Sequence, residues 1–146
     1  MVELLKALFA IEVDFEFDKQ KQSTGLKKVL AQNNNAIYIA ELSGRVVGMC
    51  SVQTIISTAE GGPAAILEDL VVEKEYRRKG IGKKLIEAIY QWAKYKNIQR
   101  IQLLADKDNI DAIEFYKNNG WFVTNLICLR TRIEGDGHGN NRTENE

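Results

Sequence analysis

One segment constrains this chain more than any other: Ile66-Leu-Glu-Asp-Leu-Val-Val-Glu-Lys-Glu-Tyr-Arg-Arg-Lys-Gly-Ile-Gly-Lys-Lys-Leu85. Its first part belongs to an apolar run, Ala64 to Val72, that reads as a strand. Its last part opens an amphipathic helix in which Ile81, Leu85, Ile86, Ile89, Trp92 and Ala93 share one face up to about Tyr95. Between them stand three consecutive cations, Arg77, Arg78 and Lys79, followed by Gly80-Ile81-Gly82. The first turn of a helix carries unpaired N–H groups and a partial positive charge, and glycines let a ligand approach the backbone closely. With cations in front of it, this junction is a candidate site for a pyrophosphate-sized anion. A solvated charged loop is the alternative reading of the cations alone.

The flanking elements place that junction in a mixed α/β sheet rather than a bundle or a sandwich. Val2 to Phe9 has Leu4, Leu5 and Leu8 at helical spacing, and Gly25 to Gln32 reads as a second short helix capped by Ser23 or Thr24. Ile11 to Asp18 alternates apolar and acidic residues, which favours a strand or a loop beside a pocket. Ala36 to Leu42 and Val46 to Ile56 form a predicted hairpin through Ser43-Gly44, and Gly61-Gly62-Pro63 forces a turn before the Ala64 strand. Ile101 to Ala105 is a further strand. Asn109 caps a short helix that Gly120 closes, and Trp121 to Ile133 reads as a final long strand. From Glu134 onward almost nothing is apolar, so residues 1–133 are expected to form one domain and 134–146 a disordered tail.

Composition narrows the function classes. Twenty basic and twenty acidic residues balance to zero, which argues against a general nucleic-acid binder. No stretch approaches the length of a membrane span, and the N-terminus makes a poor signal peptide, so a cytoplasmic protein is expected. Cys50 and Cys128 lie in apolar runs without metal or redox spacing and read as buried core residues. The one histidine, His138, lies in the Gly-rich tail, so no metal set and no histidine catalysis are expected.

Two familiar anion motifs fail on spacing. A P-loop would need glycine where Arg77 stands and Ser or Thr where Lys84 stands, and a dinucleotide fingerprint would need glycine at Leu85. The pattern Arg77-x-x-Gly80-x-Gly82 instead resembles the Arg/Gln-x-x-Gly-x-Gly/Ala signature of the GNAT acetyltransferases. Glu41 to Gly48 is similar to the hairpin that precedes the cofactor strand in that family. Asn109-x-x-Ala112-x-x-Phe115-Tyr116-x-x-x-Gly120-Trp121 resembles its second signature. The three blocks follow in family order across about residues 36 to 125.

The resemblance implies a single-domain α/β (α+β) fold with a mixed, mainly antiparallel twisted sheet flanked by about four helices. It also implies acetyl transfer from acetyl-CoA to a primary amine, directly in a ternary complex. Arg77, Arg78, Lys79, Gly80, Ile81, Gly82 and Lys83 would hold the pyrophosphate. The backbone of Leu70, Val71 and Val72 would run beside the pantetheine arm, with the Val72 amide donating to the thioester carbonyl. Asn109 would bond the arm, and Tyr116 would protonate the departing thiolate, although as a bare sequence position Tyr116 reads equally as a core aromatic beside Phe115.

An alkylammonium has a pKa of about 10.4, so only about one acceptor molecule in a thousand is nucleophilic at neutral pH, and a base is needed. Leu67-Glu68-Asp69 resembles the matching strand of diamine and polyamine acetyltransferases, which makes Glu68 the expected base and Asp69 the amine anchor. Strand alternation would point the two to opposite sheet faces. The acidic row with Glu12 and Asp14 falls where the family shapes its acceptor pocket, and would suit a small cationic amine; a solvated strand face is the alternative. A protein or peptide acetyltransferase and a silent CoA-binding module remain as rival readings. The family's usual first strand has no counterpart ahead of the Val2 helix, and a homodimer is expected by analogy alone.

Overall fold

The computed structural model describes residues 1–10 and 16–133. Among them a four-stranded open sheet runs in the order β1 (Ala36–Leu42), β2 (Arg45–Ser57), β3 (Gly62–Val72) and β4 (Ile101–Gln102). The first three strands are antiparallel neighbours and β4 lies parallel to β3. Helices α3 (Ile81–Tyr95) and α4 (Ile110–Asn118) cover one face, and α1 (Val2–Phe9) and α2 (Lys19–Leu30) the other.

The predicted apolar stripe of α3 is the one that is buried. Leu85, Ile86, Ile89, Trp92 and Ala93 pack on Cys50, Val52, Ala65 and Leu67 of the sheet. Leu4, Leu5 and Leu26 meet Met49 and Val71 on the opposite face. Met49, Ile86 and Ile89 are at most 1% exposed, and each such side chain stabilises the fold by about 1.5–3 kcal/mol. The β1–β2 hairpin turns through Ser43 and Gly44 with φ of 50° and 79°, the doubly left-handed turn whose twist matches antiparallel strands.

Several local expectations are corrected. Helix α2 begins at Lys19, where the Asp18 carboxylate accepts from the Gln20 and Lys21 amides at 2.9 and 3.0 Å, so Asp18 and not Ser23 or Thr24 is the cap. Its polar first turn gave no apolar period to read. Residues 16–18 form no strand, and the rest of the Ile11 to Asp18 expectation, with Glu12 and Asp14, lies outside the described residues. Pro63 sits inside β3 opposite Ile56, with the turn before it. The Ala65 N–H donates to Arg100 on the β4 side, so two residues earlier the Pro63 nitrogen faces that side too, ahead of the first β4 pair, where no ladder donor is required.

The largest departure is at the C-terminal end. Trp121 to Ile133 forms no strand. A strand is held by ladder bonds to a neighbour, and among the described residues β4 has only Ile101 and Gln102 in register with β3, not the five residues expected. Cys128 is exposed in this stretch, contrary to the expected burial, whereas Cys50 is buried as expected; both are free thiols. Residues 134–146, expected as a disordered tail, lie outside the described residues. Among the described residues no helix is long and apolar enough to cross a membrane.

Candidate active site

The register of β3 against β2 slips between Ser51 and Val52: Asp69 faces Ser51, Leu67 faces Val52, and Glu68 has no partner. Glu68 is therefore the extra residue of a β-bulge. A bulge reverses the face parity of the strand beyond it. Ala65 and Leu67 lie on the α3 face before it, Leu70 and Val72 lie on that face after it, and Val71 turns to α1 and α2. Glu68 and Asp69 consequently share the α1/α2 face, which corrects the expectation of opposite faces.

The bulge also fixes where main-chain groups point. The Glu73 N–H donates to Val47 on β2 at 2.9 Å, so the N–H groups of Val72 and Leu70 point away from β2. On that side β4 has left β3 after Ile66, and this part of the β3 edge has no strand beside it among the described residues. An extended ligand can add to such an edge as another strand would.

Past the short turn Lys74–Tyr76, the Arg77 Nε donates to the Val72 carbonyl at 2.9 Å and straps the cationic loop to the end of β3. Arg78 and Gly80 both take left-handed conformations, with φ of 59° and 79°. The first bond of α3 runs from the Lys84 N–H to Gly80, and no side chain caps this helix. The amides of Ile81, Gly82 and Lys83 are thus left without a helical or side-chain acceptor, whereas α2 and α4 are capped by Asp18 and Asn109. Around them Lys79 lies 5.3 Å from the Tyr76 ring centre, and Arg78 reaches Asp111 at 3.9 Å with both side chains exposed.

Helix α4 is held close to this junction by Gly82. A Cβ there would come within 3.1 Å of Phe115 Cζ, so the glycine serves helix packing. The Asn109 side-chain oxygen accepts from the Ala112 N–H at 3.1 Å, which caps α4 and leaves the amide NH2 to bond elsewhere. Tyr116 is half-buried, edge-on to Phe115 and Trp121 at ring-centre distances of 5.4 and 5.6 Å. Tyr116 therefore packs as an aromatic beside Phe115, and it lies on the helix that abuts the loop expected to hold the cofactor.

On the other face Glu68 and Asp69 line a cavity of about 210 Å³ with Leu5, Phe9, Leu26, Gln53 and the cationic Lys21. Ser51 Oγ donates to Asp69 Oδ2 at 2.5 Å. Burial raises the Asp69 carboxyl above the ordinary range, and the Ser51 bond partly offsets this. Partial burial raises Glu68 as well, the Asp69 charge adds to the rise, and Arg130 pulls it back. A larger hollow of about 390 Å³ beside α2 holds none of the expected catalytic residues.

A profile of the acetyltransferase (GNAT) family matches residues 3–121. This chain belongs to the GNAT family. Among curated relatives, an uncharacterized N-acetyltransferase of Methanocaldococcus jannaschii is 28% identical over 96 residues, 65% of this chain and 42% of that protein. The chain spans between 34% and 48% of three further curated relatives. Among solved structures, an aminoglycoside acetyltransferase from an uncultured soil metagenomic sample has a TM-score of 0.76 at 28% identity, covering 91% of this chain and 86% of that one. A second aminoglycoside N-acetyltransferase, solved in complex with CoA, has a TM-score of 0.67 at 22% identity over 78% of this chain and 88% of that one, a likeness of fold alone.

In this GNAT chain the residues expected around the cofactor, Leu70 to Val72, Arg77 to Lys83, Asn109 and Tyr116, lie on β3, its following loop, α3 and α4, which adjoin one another. Glu68 and Asp69 are brought together on the opposite face. Sequence reasoning missed Ser51, which is 1% exposed. Its one signal was a hydroxyl at a buried position inside the apolar run from Val46 to Ile56.

Proposed function

We propose that this chain is an acetyl-CoA-dependent N-acetyltransferase acting on a primary amine of a small cationic molecule, in a ternary complex. The observation that carries the reading is the uncapped start of α3, set directly beyond the unpaired edge of β3. Both are rows of main-chain donors without acceptors among the described residues, and together they fit a ligand with an anionic end and an amide-bearing arm. The residues present fit acetyl-CoA. The amides of Ile81, Gly82 and Lys83, with Arg77, Arg78 and Lys79, hold the pyrophosphate; Leu70, Val71, Val72 and Asn109 hold the arm. The cosubstrate supplies an acetyl thioester whose C–S bond is replaced by the C–N bond of the product.

The Val72 N–H stabilises negative charge developing on the carbonyl oxygen. Glu68 takes the ammonium proton directly or through water, and a carboxyl with a raised pKa suits that task at neutral pH. Asp69, held by Ser51, anchors the amine. Tyr116 gives its proton to the departing thiolate. The two carboxyls of the cavity, set against the one Lys21 ammonium, support a cationic acceptor, as does the likeness to an aminoglycoside acetyltransferase solved with sisomicin, at 26% identity and a TM-score of 0.75.

Thiol release from acetyl-CoA against polyamines, diamino acids, aminoglycosides and N-terminal peptides tests this reading, alongside calorimetry with CoA. Turnover is expected with cationic amines and is expected to fall steeply in Tyr116→Phe. Absence of any CoA binding by the intact chain would sink the assignment. CoA binding with silence across the panel would replace it with a CoA-binding module.

A further inference from the structure

Two hollows meet on α2. The cavity of about 210 Å³ that holds Glu68 and Asp69 shares Lys21 and Gly25 with the larger hollow of about 390 Å³. Lys21, Gly25 and Val29 follow at helical spacing on one face of α2, and all three line the smaller cavity. Gly25 stands inside the helix, where glycine is disfavoured against alanine. Packing does not require it there, since a Cβ at Gly25 would meet nothing within 4 Å. The missing side chain leaves space where the two hollows join.

The charges around the cavity are ordered as well. Strand β3 supplies two carboxyls, Glu68 and Asp69, and α2 supplies one ammonium, Lys21. The Lys21 side chain is exposed and makes no ion pair among the described residues. Its backbone is fixed by the Asp18 carboxylate, which accepts from the Lys21 N–H at 3.0 Å. Arg130 also acts on Glu68 but lines neither hollow. Leu5, Leu26 and Val29 make much of the remaining wall apolar. Acid and base groups on different elements, with apolar wall beside them, fit a ligand that carries ammonium and carboxylate groups on a carbon chain. A volume of about 210 Å³, below the roughly 300–1,000 Å³ of pockets for drug-sized ligands, suits a short chain.

We propose that the acceptor is a diamino acid, and that Lys21 binds its carboxylate while Glu68 and Asp69 serve its ammonium groups. Two carboxyls and one ammonium are the reverse of the two ammonium groups and one carboxylate that such a molecule carries. A diamine of the same chain lacks the carboxylate and leaves the Lys21 ammonium without a partner. Lys21 is thus a specificity residue that selects for the amino acid over the diamine. The inference rests on the acetyl transfer proposed above and narrows its acceptor.

Steady-state rates on matched pairs test it: L-ornithine against putrescine, and L-lysine against cadaverine, each pair differing only in the carboxylate. The wild-type chain is expected to give the higher kcat/KM on the diamino acid of each pair. Lys21→Gln is expected to lower that value about ten- to a hundredfold through the acceptor KM, the equivalent of one lost hydrogen bond to a charged group. The diamine rates and the KM for acetyl-CoA are expected to stay as they are. Lys28→Gln removes a cation of the same helix that lines only the larger hollow, and is expected to keep the preference. A wild-type preference for the diamines would overturn this inference and leave the transfer reaction standing. So would equal losses on both members of a pair in Lys21→Gln, or the same loss of preference in Lys28→Gln. A preference that survives Lys21→Gln and disappears in Arg130→Gln would overturn the Lys21 assignment. Silence on all four amines beside turnover of sisomicin would sink the diamino acid alone, whereas silence on every amine would take the transfer reaction with it.

Discussion

Ser51 and Asp69 are cross-strand partners on β2 and β3, joined by a 2.5 Å hydrogen bond at the edge of the bulge that carries Glu68. The bond holds a half-buried carboxylate in a fixed orientation next to the proposed base. Ser51→Ala removes a donor that favours the charged form, so the Asp69 pKa should rise further. A bond to a charged group contributes about 1.5–3 kcal/mol, equivalent to an upward move of about one to two pH units in the acid limb of kcat/KM. The sign for stability follows. Asp69 binds its proton more tightly folded than unfolded, so its contribution is best below about pH 3.9, the unfolded value, and falls as pH rises toward the raised folded value. Ser51→Ala should steepen that fall, measured by denaturant unfolding across pH 4 to 7. A pH profile that does not move would show that Ser51 does not tune Asp69.

Asn109 carries two separable duties. Its oxygen caps α4, and its NH2 is proposed to bond the cofactor arm. Asn109→Ala should cost about 1 kcal/mol of stability and also weaken CoA binding. Asn109→Asp keeps an oxygen for the cap and loses the donor, so it should retain stability while still weakening CoA binding. Thermal unfolding and calorimetry on the pair separate the roles; equal affinity for CoA in Asn109→Asp and wild type would remove the cofactor role.

Gly82→Ala places a methyl 3.1 Å from Phe115 Cζ. Overpacking costs about 1–3 kcal/mol, against about 1 kcal/mol gained from replacing glycine in a helix. A net loss of about 1 kcal/mol in unfolding free energy is expected. The relief available is a shift of α4, which carries Asn109 and Tyr116, so the KM for acetyl-CoA should rise more than the stability loss alone would suggest. An unchanged KM would mean that Phe115 moves without its helix.

Cys50 is buried on the sheet, and desolvation pushes its thiol up to about 12. Thiolate is the reactive form, so in a Cys128→Ser background no thiol should react with a disulfide reagent at pH 8 in the native protein. Reaction is expected on addition of denaturant. Rapid native labelling of Cys50 would show that the α3 face opens.

Much of this protein was legible from residue order alone. The α3 stripe, the Ser43-Gly44 hairpin turn and the Asn109 cap are local: period, a doubly left-handed turn and a side chain three residues from its amide partner set them within a few positions. The three family blocks located the proposed cofactor side for the same reason, since loop and helix start are contiguous in sequence. What tertiary structure decided were features made by pairing. Whether Glu68 and Asp69 share a face depends on one extra residue in β3 relative to β2, and single-strand alternation cannot reveal it. Ser51 joins the site only because register sets it opposite Asp69. Trp121 to Ile133 has every local mark of a strand, but its ladder bonds must come from another segment, and propensity does not say whether one is there.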